Sequence, residues 1–231
     1  MIYWMSRIKG EIGLLKKYNY VIFDLDGTLS DSKEGITKSV QYALEKVGII
    51  EENLEDLEHF VGPPMVEQYM KVYGMSKDKA FETLGYYRER YTPIGIYETK
   101  AYPGVKEILD ALKENNVKLG MATSKPEGMA VEVAKFLEIE DYFDIICGAD
   151  LKGPRQSKAD VLNKLFENSD FIKDESVLVG DTHYDVEGAN EVGIDCVGIG
   201  WGMGTDEEMM DAGANGVFDE YETLIDYLLG E

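Results

Sequence analysis

Two aspartates, Asp24 and Asp26, stand two residues apart directly after the apolar run Val21-Ile22-Phe23, and Gly27-Thr28 follows them at once. Carboxylates so placed could bind a cation, serve as nucleophile and acid, or cap a helix. Three further polar clusters recur along the chain: Thr123-Ser124-Lys125, Ser157-Lys158, and the run from Gly180-Asp181 to Asp185. Brought together, the four would hold an inventory suited to phosphoryl transfer. Asp24 would attack phosphorus and carry it as an acyl phosphate. Asp26 would protonate the leaving alcohol and then take a proton from the water that hydrolyses the intermediate. Asp181 would join Asp24 in holding Mg²⁺, a hard cation satisfied by one or two carboxylates, water and phosphate oxygens. Thr123 and Lys158 would neutralise charge on the equatorial phosphate oxygens.

Elements able to present these residues can be read from the same text. Val21, Ile22 and Phe23 are apolar at every position, which suits a strand buried on both faces in a parallel sheet covered by helices. Asp24 and Asp26 then fall at the carboxyl edge of that sheet, where open α/β sheets bind ligands. From Tyr102 onward, strand-like runs alternate with helical ones: "VKLGMAT", "FDIICGAD", "SVLVGD" and "DCVGIGWG" are separated by amphipathic stretches, and the chain closes with "GVFD" and the helix "YETLIDYLL". Between about 30 and 99 the pattern is helical throughout. "PPMVEQYMKVYG" opens on prolines and closes on glycine, and "SKDKAFETLGYYRERY" opens on an N-cap serine. The expectation is an α/β domain that received an all-helical insertion after its first strand. Residues 20–29 and 100–231 form the core, 30–99 the insertion and 1–19 an N-terminal extension. Ile8, Ile12 and Leu15 of that extension are spaced for a short amphipathic helix.

The four clusters, in this order, resemble those of the haloacid dehalogenase superfamily, whose phosphatases carry DxDGT, a Thr or Ser, a Lys and GDxxxD. The resemblance runs from about residue 20 to the end. It implies a Rossmann-like three-layer core with a mobile helical cap. It also implies Asp24 as nucleophile, Asp26 as acid/base whose main-chain carbonyl binds the metal, and Asp181 as a further metal ligand. Asp185 matches the last acidic position, a support to the metal site or to the lysine. The metal set is therefore Asp24, Asp26, Asp181 and Asp185, and the phosphate-binding set is Thr123, Ser124, Lys125 and Lys158. "FVGPP" at 60–64, "GPRQSKADVL" at 153–162 and the tail at 200–215 resemble the phosphoglycolate phosphatase-like or 5'-nucleotidase-like branch. Asp26 argues against dehalogenation, which needs no leaving-group proton. A phosphomutase would carry an arginine where Gly62-Pro63-Pro64-Met65 has methionine. A non-catalytic phospholigand module would have no need of Asp26.

The bulk properties bound the partners. The 231 residues hold 23 Lys and Arg against 45 Asp and Glu, a formal charge of -22, which disfavours nucleic acid. Two isolated cysteines, Cys147 and Cys196, form neither a disulfide framework nor a zinc pattern, and a reducing cytoplasm is the expected setting. No apolar run reaches membrane-spanning length. The expected partner is a small soluble phosphate ester, and the expected assembly a monomer or small homo-oligomer. Lys125, Arg88 and Arg90 are candidates for meeting a second anionic group on it. Tyr86, Tyr87, Tyr91 and Tyr97 read as packing of the helical segment, and His59 and His183 as surface or packing residues.

Overall fold

Every residue from Val21 to Phe23 is buried in β1 (Tyr20–Phe23), the strand on which the rest of the sheet is assembled. The computed structural model describes residues 18–150 and 157–231; the expected N-terminal helix and the first part of "GPRQSKADVL" lie outside the described residues. After β1 come β2 (Ser30–Asp31), α1 (Lys33–Lys46), α2 (Met65–Tyr73), α3 (Lys77–Tyr91) and β3 (Lys100–Ala101). The alternating part follows as α4 (Val105–Glu114), β4 (Lys118–Pro126), α5 (Glu127–Phe136), β5 (Ile145–Ala149), α6 (Lys158–Glu167) and β6 (Ser176–Gly180). It closes with α7 (His183–Val192), β7 (Asp195–Ile199), α8 (Asp206–Ala212), β8 (Gly216–Phe218) and α9 (Tyr221–Leu229).

Six strands form one sheet in the order β5-β4-β1-β6-β7-β8, with every neighbouring pair parallel. Val21 aligns with Leu119 of β4 and Val177 of β6, so the three strands start level, and β4 runs on past the end of β1. Side chains alternate between two cores, as the period of two requires. Val21, Phe23, Met121 and Val179 enter the one covered by α4, α5 and α9. Ile22, Ala122, Leu178 and Cys196 enter the other, covered by α6, α7 and α8. Each fully buried Val, Leu or Ile contributes roughly 1.5–3 kcal/mol, which is why runs apolar at every position form the central strands. The chain winds outward through β4 and β5, then returns to β6 on the far side of β1. This reversal opens a crevice at the carboxyl ends of β4, β1 and β6. The fold is the expected α/β, Rossmann-like three-layer arrangement.

The helical segment packs α1 against α3 and α3 against α2. Ile36, Val40, Ala43 and Leu44 of α1 are buried at helical spacing. Ser76 caps α3 by accepting from the amide of Lys79, and Gly74 ends α2 in the left-handed conformation. Two features depart from the expectation of a purely helical stretch over 30–99 and of no helix between β7 and β8. The segment is entered and left through a two-stranded antiparallel ribbon, Ser30 opposite Ala101 and Asp31 opposite Lys100. Strands of two residues carry no periodicity to read. Thr205 and Glu208 form a capping box that starts α8 inside the stretch of 200–215. Among the described residues no helix is long and apolar enough to cross a membrane.

Candidate active site

Asp24 continues the line of β1, its amide donating to Val179 O of β6 at 2.9 Å. The chain must then turn sharply, and Gly27 does so at φ +88, where an added Cβ would lie 2.1 Å from Asp181 Oδ2. Asp181 directly follows β6. Its carboxylate accepts from Thr28 Oγ1 at 3.0 Å and from the amide of Met203 at 2.9 Å, and its carbonyl accepts from the amide of Gly204. Trp201 Nε1 donates to Thr28 O, tying the loop after β7 to the turn after Asp26. Asp185 lies in the first turn of α7, where Oδ2 accepts from the amide and hydroxyl of Thr182. That leaves Oδ1 facing inward. Lys158 begins α6 behind the Ser157 cap, and its stem passes the face of Gly188, where a Cβ would lie 2.6 Å from Lys158 Cβ. Its Nζ donates to Ala122 O of β4 and lies 2.9 Å from Asp24 Oδ1 and 2.8 Å from Asp185 Oδ1.

Three buried carboxylates thus meet one buried ammonium. Asp24, Asp181 and Asp185 each offer an oxygen within 4.8 Å of the others. Burial pushes Asp24 up to about 6 and the charge of Asp185 adds to the rise, while Lys158 opposes it. Burial, then Asp185 and Asp24, hold Asp181 well above the usual carboxylate range. Burial alone would depress Lys158, but Asp185 and Asp24 together outweigh it and the net shift is upward. Lys158 therefore stays charged at neutral pH. With all three acids ionised the cluster carries two uncompensated negative charges, and neither Asp24 Oδ1 nor Asp185 Oδ1 receives a well-aligned hydrogen bond. An all-oxygen donor set with that deficit fits a hard divalent cation such as Mg²⁺.

Asp26 faces the opposite way, toward the helical segment. Its Oδ2 accepts from Lys125 Nζ at 2.6 Å, while its Oδ1 is buried without a hydrogen-bond partner. Lys125 also sits 5.0 Å over the ring of Tyr91, and its amide donates to Thr123 Oγ1. Beyond them opens a cavity of about 780 Å³, bordered by Asp26, Ser124 and Lys125 on the core side and by Met65, Tyr87 and Arg88 on the helical side. Of the expected site residues, Asp24, Asp181, Asp185 and Lys158 come together, with buried Thr123 on β4 directly after Ala122, whose carbonyl accepts from Lys158. Asp26, Ser124 and Lys125 border the cavity.

Lys125 pairs with Asp26 and still borders the cavity. Two expectations need correction. Arg90 forks onto Glu98 at 2.8 and 3.0 Å and donates to Ser39, so its guanidinium is engaged within the helical segment and does not line the cavity. The four tyrosines do not act as one group: Tyr87 and Tyr91 stack at 5.0 Å and border the cavity, whereas Tyr97 is exposed and bonded to Glu132. Thr28, Trp201 and the amide of Met203 were not singled out in the sequence as supports of Asp181. The alternating glycines of "GIGWGMG" were the available signal, because a Cβ at Gly202 would lie 2.2 Å from Asp181 Cβ.

A family model described as haloacid dehalogenase-like hydrolase matches residues 21–199. A 5'-nucleotidase from Pseudomonas aeruginosa is 39% identical over 193 residues, covering 84% of this chain and 87% of that protein. A tyrosine-protein kinase PtkA from Mycobacterium tuberculosis is also 39% identical, over 184 residues, covering 80% of this chain and 62% of that one. Among solved structures, one described as a predicted phosphatase from Clostridium acetobutylicum superposes with a TM-score of 0.90 at 38% identity, covering 94% of this chain and 100% of that one.

Proposed function

This chain belongs to the haloacid dehalogenase-like hydrolases and is a phosphatase of that family, and from that premise we propose that it hydrolyses a small-molecule phosphomonoester through an acyl phosphate on Asp24, with Mg²⁺ bound. The observation that carries the reading is the buried pairing of Asp24 with Lys158 beside Asp181 and Asp185, with Asp26 facing the cavity. Asp24 attacks phosphorus, forming one O–P bond as the bond to the leaving alcohol breaks. Asp26 gives its proton to that alcohol, then takes one from the water that cleaves the acyl phosphate. Lys158 holds Asp24 against Asp185 and adds positive charge beside the phosphoryl oxygens, and the Thr123 hydroxyl donates to one of them. Asp24, Asp181 and the main-chain carbonyl of Asp26 would hold the cation, with Asp185 in support. When bound, it supplies the positive charge that the carboxylate cluster lacks and neutralises the phosphoryl oxygens.

In this reading residues 30–99 act as a cap that closes over the cavity, excludes water and limits the size of the leaving group. Nucleoside monophosphates and glycolate-like esters are the candidate substrates, the former in keeping with the relative named 5'-nucleotidase. Purified protein with Mg²⁺ is to be assayed on phosphoglycolate, nucleoside monophosphates, sugar phosphates and a phosphopeptide, alongside Asp24→Asn. The variant should lose turnover by several powers of ten, since covalent catalysis and metal binding fail together. Substantial residual turnover in clean Asp24→Asn protein would sink the assignment, and a phosphopeptide running fastest would sink the closed cap.

A further inference from the structure

Two arginines lie within the described residues, and they behave differently. Arg90 is held by Glu98, whereas Arg88, two residues earlier on α3, has no hydrogen-bond or ion-pair partner among the described residues. It is half-buried, and what acts on it is burial, which lowers its pKa, and the phenol of Tyr87; no carboxylate offsets the loss of water. In a chain with 45 acidic residues against 23 basic ones, a guanidinium half out of water and without a counter-group is out of keeping with its surroundings. Arg88 borders the same cavity as Asp26, Ser124 and Lys125. Glu67 and Lys77 also border it, but both are exposed to solvent, and half-buried Asp150 borders it with an interaction of its own.

The other walls are largely apolar: Phe60, Met65, Leu84 and Met129, with the stacked rings of Tyr87 and Tyr91. At about 780 Å³ the cavity is of the size that encloses a ring-bearing ligand rather than a two-carbon acid. We propose that Arg88 is a specificity-determining residue, which binds acceptor oxygens on a flat, largely apolar leaving group whose phosphate end lies against Asp24 and Asp26. The inference rests on the phosphatase reading above and adds the chemistry of the leaving group. The planar fork of a guanidinium matches a carboxylate or a ring carbonyl, and the apolar walls match the ring that carries it.

Four phosphomonoesters separate the elements of this proposal. Phenyl phosphate has a ring and no acceptor, 4-carboxyphenyl phosphate a ring and a carboxylate, inosine 5'-monophosphate a ring and a carbonyl, and phosphoglycolate a carboxylate and no ring. In Arg88→Met, kcat/KM should fall about tenfold to a hundredfold for at least one ring ester bearing an acceptor, the loss expected for a charge-assisted hydrogen bond. Phenyl phosphate should change by less than about twofold, which also shows that the variant is folded. Arg88→Lys should recover 4-carboxyphenyl phosphate in part if a carboxylate is read, and should recover little if the fork on a carbonyl matters. Equal change of all four esters in both variants, or no change, overturns the proposal. So does phosphoglycolate exceeding every ring ester in the wild type. Failure of the wild type to turn over any of the four, phenyl phosphate included, would bring down the phosphatase reading and this inference with it.

Discussion

Asp24→Asn should make the metal-free protein more stable while leaving it inactive. Asp24 is buried, and its pKa rises from 3.8 to about 6 because water is excluded and Asp185 is near. A rise of that size in a carboxyl ionised at pH 7 costs the folded state roughly 3 kcal/mol. The amide keeps the shape and removes the charge, and the rise already includes the opposing attraction of Lys158, which retains Asp185 and Ala122 O; burying an amide without matched partners takes back about 1 kcal/mol. A net gain of roughly 2 kcal/mol remains, or about 4–8 °C in Tm for a chain of this length. The sign is set by a folded pKa above the unfolded one. The stabilising contribution of protonated Asp24 is therefore complete below about 3.8 and lost as pH rises through about 6. Thermal unfolding followed by circular dichroism in excess chelator, at pH 5 and pH 7, reads both effects. Wild type should be relatively weaker at pH 7, and Asp24→Asn should remove most of that difference. Saturating Mg²⁺ should reverse the ranking, adding about 2.7 kcal/mol to wild type at a hundredfold excess over Kd and far less to the variant. A variant that melts below wild type in chelator at pH 7, or keeps the wild-type pH dependence, would refute the reasoning.

Chelation should stop turnover and Mg²⁺ restore it, with Ca²⁺ a poor substitute because its longer bonds and higher coordination misplace the carboxylate of Asp24; full activity in excess chelator would contradict the role given to Asp181. Asp26→Ala should slow esters of poor leaving groups, such as nucleoside or sugar phosphates, more than aryl phosphates, whose oxide departs with little proton help. Burst-phase rates compare the two classes, and equal losses would remove Asp26 from the acid role. Gly27→Ala places a methyl group 2.1 Å from Asp181 Oδ2 on a backbone at φ +88. It should lower stability by roughly 3 kcal/mol and abolish the Mg²⁺-dependent rise in Tm, as thermal melts with and without the ion would show; a wild-type response would mean that Gly27 does not shape the cluster.

The central sheet was legible because its information is local. "VIF", "VLVG" and "CVGIG" are apolar at every position and end in or run into Asp or Gly, so the strands, their burial on both faces and the polar groups at their carboxyl ends follow from short stretches. Asp24, Thr123 and Asp181 share the carboxyl side of the sheet because the parallel strands that carry them are in register, and that holds whatever the connections between them. Lys158 was harder: it lies on a helix, and in isolation a lysine there reads as solvated. What the tertiary structure decided was which charge meets which. Arg88 and Arg90 stand two residues apart in "YYRERY", on different faces of α3, and nothing local tells which face turns to Glu98 and which to the cavity. The packing of α3 on α1 and α2 settles that. Lys125 follows two small polar residues, and nothing local tells that it pairs with Asp26, 99 positions away. Thr28 and Met203 reach Asp181 from opposite ends of the core. Such pairings are made by side chains distant in sequence, whose choice of partner depends on where water is excluded, and that is decided only when the layers close.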